Sequence, residues 1–128
     1  MNGATLIVKM LRAYDISCLF GVPGDTNVSL YAALTEHADA IRHVMCRDER
    51  SAGYMADAYA RASNRPGVVE VPSGGGPMYV LPAVAEANGS SVPMVLITCD
   101  NTLLGEGRGV ITELDCVKLF ESITKASM

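Results

Sequence analysis

The sequence predicts an α/β fold, a three-layer doubly wound parallel sheet. Three observations predict it. Short runs of Val, Ile and Leu recur without polar alternation, which suits strands covered on both faces. Segments with apolar residues at helical spacing separate those runs, so strand and helix alternate along the chain. Gly, Pro and Asn cluster at the borders, where turns are needed. Right-handed crossovers convert that order into an open sheet with helices on both sides. A length of 128 residues suits one domain, 1–128.

The elements follow in order. Thr5 can cap a first helix, with Leu6, Ile7, Met10 and Leu11 at helical spacing. The run Cys18–Val22 is a buried strand closed by Pro23-Gly24. Asp25, Thr26 or Asn27 can cap a second helix carrying Leu30, Tyr31 and Leu34. Ile41–Met45 is a second strand, and Asp48–Ala62 a third helix that Asn64-Arg65-Pro66-Gly67 stops. Val68–Val71 is a third strand, followed by a Gly-rich turn over Pro72–Pro77. Met78–Ala87 reads as a fourth helix, which puts Pro82 in its first turn. Met94–Thr98 is a fourth strand, Asn101–Ile111 a polar loop, and a last helix runs from Thr112 or Glu113 to about Phe120.

Composition narrows the function. No run of about 18 apolar residues is present, so no membrane span is expected. The first residues, Met1–Thr5, lack the basic and apolar pattern of a secretory signal, and a cytoplasmic setting is expected. A formal charge of −4 and the lack of a Lys/Arg cluster argue against nucleic acid. The four cysteines, Cys18, Cys46, Cys99 and Cys116, form no CxxC pair and predict buried, reduced thiols, not a zinc site. Asp57 and Arg61, at i and i+4, predict an exposed helix pair.

Ligands of doubly wound sheets collect outside the carboxyl ends of the strands. Three features fall there: Gly21-Val22-Pro23-Gly24, Arg47-Asp48-Glu49 and Ser73-Gly74-Gly75-Gly76. No GxxxxGK[ST], GxGxxG or GxSxG pattern accompanies them, which argues against a phosphate loop, a dinucleotide fingerprint and a nucleophile elbow. A flavodoxin-like binder of a small ligand loses ground for the same reason. The triple glycine allows close approach of either a ligand or the next helix. His37 reads as solvent-facing and His43 as structural, neither with an evident partner for acid–base work. Glu49, at the start of a helix, is by position either a first-turn acid or a functional carboxyl.

The residues Gly21-Val22-Pro23-Gly24-Asp25, Ile41-Arg42-His43-Val44 and Arg47 through Arg61 together resemble the N-terminal, pyrimidine-binding (Pyr) domain of thiamine diphosphate enzymes. That group includes acetolactate synthase, benzoylformate decarboxylase and relatives. Arg65-Pro66-Gly67-Val68, Ser73-Gly74-x-Gly76, Ser91-Val92-Pro93-Met94-Val95 and Ile123-Thr124-Lys125 follow in the family's order. The resemblance implies that Glu49 is the cofactor-activating glutamate. A carboxyl bonded to the pyrimidine ring nitrogen favours the tautomer whose exocyclic nitrogen can take a proton from the thiazolium carbon. A dry wall beside that carboxyl favours its protonated, donating form. The cofactor carries the hard chemistry and the protein tunes it. Pro23 and Gly24 match the loop beside the pyrimidine; Ser73, Gly74 and Gly76 match the second loop.

The chain also departs from the family pattern. Asp48 stands where the family often has His, Ser73–Tyr79 reads SGGGPMY against a common SGPGATN, and Thr98-Cys99-Asp100 replaces Thr-Gly-Gln. Family members hold the diphosphate through Mg²⁺ with a Gly-Asp-Gly motif and a following Asn in a second domain. Gly24-Asp25-Thr26 is not that motif, so no metal ligand is expected here. The implied unit is a Pyr domain shortened at its C-terminus, active on a 2-oxo acid only with a diphosphate-binding domain or partner subunit. An alpha-type subunit of a split enzyme such as sulfopyruvate decarboxylase is one form of this; a non-catalytic assembly domain is the alternative. Sheet edges left bare predict self-association into a homo-oligomer.

Overall fold

The computed structural model describes residues 2–128 and contains the alternating order expected. Helix α1 spans Gly3–Ala13. Its cap is Asn2, not Thr5: the Asn2 side chain accepts from the Thr5 amide at 2.9 Å, because a capping oxygen reaches the third helical amide. The buried face is Val8 and Leu11, while Leu6, Ile7 and Met10 stay largely exposed. Strand β1 is Cys18–Gly21, and a 3-10 turn at Asp25–Asn27 leads into α2, Val28–Thr35. Asn27 stands at the cap position of α2 yet gives the helix no side-chain bond; its amide is used elsewhere.

Strand β2 is Arg42–Met45, and α3 is Glu49–Ser63. Asp48 caps α3 through the Ser51 amide at 2.8 Å, and Asn64 ends it in the left-handed region at φ 54°. Strand β3 is Gly67–Val71. Helix α4, Gly75–Gly89, begins earlier than expected and places Pro82 in its interior. Pro77, in the first turn, lacks only an amide that has no partner there anyway. Pro82 lies on the exposed face, where water can satisfy the carbonyl freed one turn back. Strand β4 is Met94–Thr98.

Helix α5 is only Cys116–Phe120 and does not start at Thr112 or Glu113. Thr112 has φ 67°, outside helical space, and the Glu113 carboxyl turns back to accept from the amides of Gly107, Gly109 and Val110. Asp115 supplies the cap instead, through the Lys118 amide.

The four strands form one parallel sheet in the order β2-β1-β3-β4. Helices α1 and α2 cover one face, over Val8, Leu11, Leu19, Leu30, Leu34 and Val68. Helices α3 and α4 cover the other, over Phe20, Ala52, Ala56, Val69, Val71, Val80 and Val84. The sheet is therefore three-layered and doubly wound. The chain leaves β1 toward β2 on one side and continues from β3 to β4 on the other, so the winding reverses between β1 and β3. The turns that follow those two strands flank the crevice where such folds take ligands. Among the described residues no helix is long and apolar enough to cross a membrane.

Candidate functional site

The two loops that the sequence singles out meet at that crevice. The Thr26 hydroxyl accepts from the Ser73 amide at 2.9 Å, tying the turn after β1 to the turn after β3. A side chain at Gly24 would lie 2.6 Å from Pro72, and one at Gly76 would lie 3.1 Å from Pro72 and from Val71. Gly74 holds φ 76°, and Thr112 covers it at 2.7 Å from where a Cβ would stand. The close approaches at Gly24, Gly74 and Gly76 are thus made to the chain itself. Ser73 is buried, with its hydroxyl 2.8 Å from that of Thr112, whereas Pro23 is exposed.

Glu49 arrives from the neighbouring strand. The Cys46 amide donates to the Gly21 carbonyl at 2.8 Å, which lays the Arg47–Glu49 turn alongside the turn after β1. Glu49 is the first residue of α3 and half-buried. Among the described residues it enters none of the side-chain bonds around it, which run from Asp48 to Ser51 and Arg50. Its carboxyl is left free at a helix N-terminus, where the backbone dipole favours negative charge. No hydrogen bond joins Glu49 directly to Pro23, Gly24, Ser73, Gly74 or Gly76 among the described residues.

Bonds from the Ser51 amide and hydroxyl hold the Asp48 carboxyl below its ordinary 3.8. Such a depressed group stabilises the fold above that ordinary value, and the contribution is lost as pH falls through the folded-state value. Asp48→Asn keeps a competent cap and removes the charge. Urea denaturation should therefore show the wild type more stable than Asp48→Asn at pH 7, with the gap closing below about pH 4. A gap of constant size across that range would contradict the assignment.

The expected thiols are free, but only Cys46 is buried; the others are half-buried. Burial raises all four thiols above the ordinary value, Cys99 to about 11 with Glu70 adding to the effect. None is an activated nucleophile. Among the described residues no group of His, Cys, Asp and Glu could hold a metal ion. Asp57 and Arg61 do pair, at 2.7 Å, but Asp57 is buried and not part of an exposed pair. His37 is half-exposed and accepts from the Arg12 guanidinium at 3.1 Å.

The larger surprise is Glu70, on β3, which is 0% exposed. Its carboxyl accepts from Asn27 Nδ2 at 2.6 Å and from the Tyr31 hydroxyl. Tyr31 spends its one proton on Glu70, so His43 Nε2, 2.9 Å from the phenol oxygen, is the donor there; the same nitrogen lies 3.5 Å from Glu70. Burial and the bond to Glu70 push the Tyr31 phenol upward. His43 is therefore partnered, which its strand position alone does not reveal. The available signal was an acid inside Val68-Val69-Glu70-Val71, a strand with both faces covered.

Residues 1–119 match the family model described as thiamine pyrophosphate enzyme, N-terminal TPP binding domain. The chain is 40% identical over 115 residues to a probable 2-ketoarginine decarboxylase of Pseudomonas aeruginosa, covering 88% of this chain and 20% of that protein. It is 39% identical over 125 residues to a probable acetolactate synthase large subunit of Methanococcus aeolicus, covering 98% and 20%. It is 34% identical over 125 residues to the mitochondrial acetolactate synthase catalytic subunit of Saccharomyces cerevisiae, covering 98% and 18%. The chain spans about one fifth of the length of these relatives.

Proposed function

This chain belongs to the thiamine pyrophosphate enzyme N-terminal TPP binding domain family, and we propose that it holds the aminopyrimidine of thiamine diphosphate for a 2-oxo acid decarboxylase or carboligase. The observation that carries the reading is the free, half-buried Glu49 carboxyl at the carboxyl edge of the sheet, beside the winding reversal. Its donor chemistry fits the group: a carboxyl can share a proton with a ring nitrogen, and among the described residues no side chain bonds to it. Pro23, Gly24, Ser73, Gly74 and Gly76 shape the two turns on which the ring would rest.

The cofactor's contribution there would be a nucleophilic thiazolium carbon and an electron sink for decarboxylation. Glu49 would hold the proton shared with the ring nitrogen. The Thr26–Ser73 bond keeps the two turns in one register. Mg²⁺ and the diphosphate fall to a second domain or partner subunit in this reading, since the sequence has Gly24-Asp25-Thr26 and not the Gly-Asp-Gly motif that the family uses for them. An oligomer is part of the proposal, supported by apolar side chains exposed on α3 and α4: Tyr54, Met55, Met78 and Tyr79. An assembly role without catalysis is the second reading. It draws on Gly24 and Gly74, whose close approaches are filled by Pro72 and Thr112.

Calorimetry decides between the two. Thiamine diphosphate with Mg²⁺ is titrated into the chain mixed with a diphosphate-binding domain carrying the Gly-Asp-Gly and Asn ligands. Saturable heat that needs both components is expected. No heat at any ratio of the two would overturn the cofactor reading in favour of assembly.

A further inference from the structure

We propose that Glu70 is a positioning residue for the turn Val22–Gly24, which it holds in shape through Asn27. The importance of that turn for the cofactor rests on the function proposed above; the anchoring itself does not.

A carboxyl in the middle of a sheet covered on both faces is unfavourable unless every polar atom is satisfied. Neighbouring Val68, Val69 and Val71 show what the position otherwise takes. Gly21, paired with Glu70 across the sheet, has no side chain, and a Cβ there would stand 1.9 Å from Glu70 Oε1. Two positions are therefore committed to seating one carboxyl group.

Asn27 explains the commitment. It is 1% exposed, and its amide is fully used. Nδ2 donates to Glu70 at 2.6 Å and to the Val22 carbonyl at 3.1 Å, while Oδ1 accepts from the Gly24 amide at 2.7 Å. One amide thus grips the turn at both ends, and Glu70 fixes how that amide is oriented. Without the carboxyl, one Nδ2 hydrogen would be buried with no acceptor, and Asn27 would rotate or withdraw. This is also why Asn27 does not cap α2. The grip passes onward, because the same turn meets Pro72 through Gly24 and Ser73 through Thr26. Tyr31 and His43 hold the far side of the carboxyl and keep it from turning away.

The test is amide hydrogen exchange by NMR on the full chain, which needs no cofactor. Glu70→Leu keeps bulk and removes the acceptor; Glu70→Gln restores an acceptor. The Gly24 amide is the reporter, and the Gly67 and Val92 amides, bonded to Pro93 and Ala87, are controls far from the turn. Glu70→Leu is expected to speed Gly24 exchange about tenfold relative to the controls, the measure of one lost hydrogen bond. Glu70→Gln should recover most of that protection. Should Glu70→Leu fail to fold, Glu70→Met, an unbranched side chain of closer length, removes the same acceptor while leaving Asn27 and its bond to the Gly24 amide in place, and the same selective loss is expected. Gly24 exchange unchanged in a folded variant, or rising only in step with the controls, overturns the proposal. Thiamine diphosphate affinity with the partner domain is then measured on the same variants, with about tenfold weakening expected for Glu70→Leu and recovery for Glu70→Gln. A wild type that binds no cofactor would sink the function while leaving the exchange result to decide the anchoring.

Discussion

Glu49→Gln is expected to lower thiamine diphosphate-dependent turnover, in the presence of a diphosphate-binding half, by about 10²–10⁴-fold, the range for losing a positioned proton-transfer group. Glutamine keeps the length and bulk of the side chain. It cannot exchange a proton with a ring nitrogen, which is the property the proposed role requires. The fold should scarcely notice the change. Glu49 is half-buried and makes no side-chain bond among the described residues, so its structural contribution is its charge in the first turn of α3. Such a charge is worth about 0.3–1 kcal/mol. The two effects separate cleanly: circular dichroism and the thermal midpoint stay near wild type while kcat collapses. Turnover within twofold of wild type, with cofactor bound, would remove Glu49 from the chemistry.

Gly67→Ala should be the most damaging single methyl addition for stability. Gly67 opens β3, and a Cβ there would lie 2.1 Å from the Ala56 carbonyl oxygen and 2.7 Å from its carbon. Both are backbone atoms of α3, so no rotamer change can relieve the contact. The helix must lift from the sheet, opening the packing of Ala52, Ala56, Val69 and Val80. Overpacking of this kind costs about 1–3 kcal/mol, and a rigid backbone partner places Gly67→Ala at the upper end. For a domain of this length that lowers the thermal midpoint by about 10 °C. Gly89→Ala is the control, since a Cβ there meets nothing within 4 Å; it should stay within about 1 kcal/mol of wild type. Equal midpoints for the two variants would mean that α3 adjusts freely over β3.

Much of the architecture was legible in linear order. All four strands lie where expected to within a residue; β1 and β4 are apolar runs that do not depend on which neighbour covers them, whereas the edge strand β2 carries Arg42 and His43, and β3 carries Glu70 among its valines. Helix ends were less legible because caps compete. Asn2 displaced Thr5, and Asn27 served Glu70 in place of α2. Pro82 was misplaced because its penalty depends on whether its face is wet, and only packing decides that. The early start expected for α5 failed because Glu113 found three amides of its own loop.

The site divides along the same line. The chain's own order of residues determined an alternating α/β unit of known family character, with Pro23-Gly24, Glu49 and Ser73-Gly74-Gly76 all assigned to one sheet edge, because strand-to-helix turns in a parallel sheet emerge on one side. Only tertiary structure decided that the glycines yield to Pro72 and Thr112, that Asp57 is buried, and that Glu70, Asn27, Tyr31 and His43 meet beneath α2. Those residues are spread from position 27 to 70 on four elements or turns. Local propensity acts over a few residues, whereas the need to satisfy a buried carboxyl is met by whatever the crossovers bring within about 3 Å.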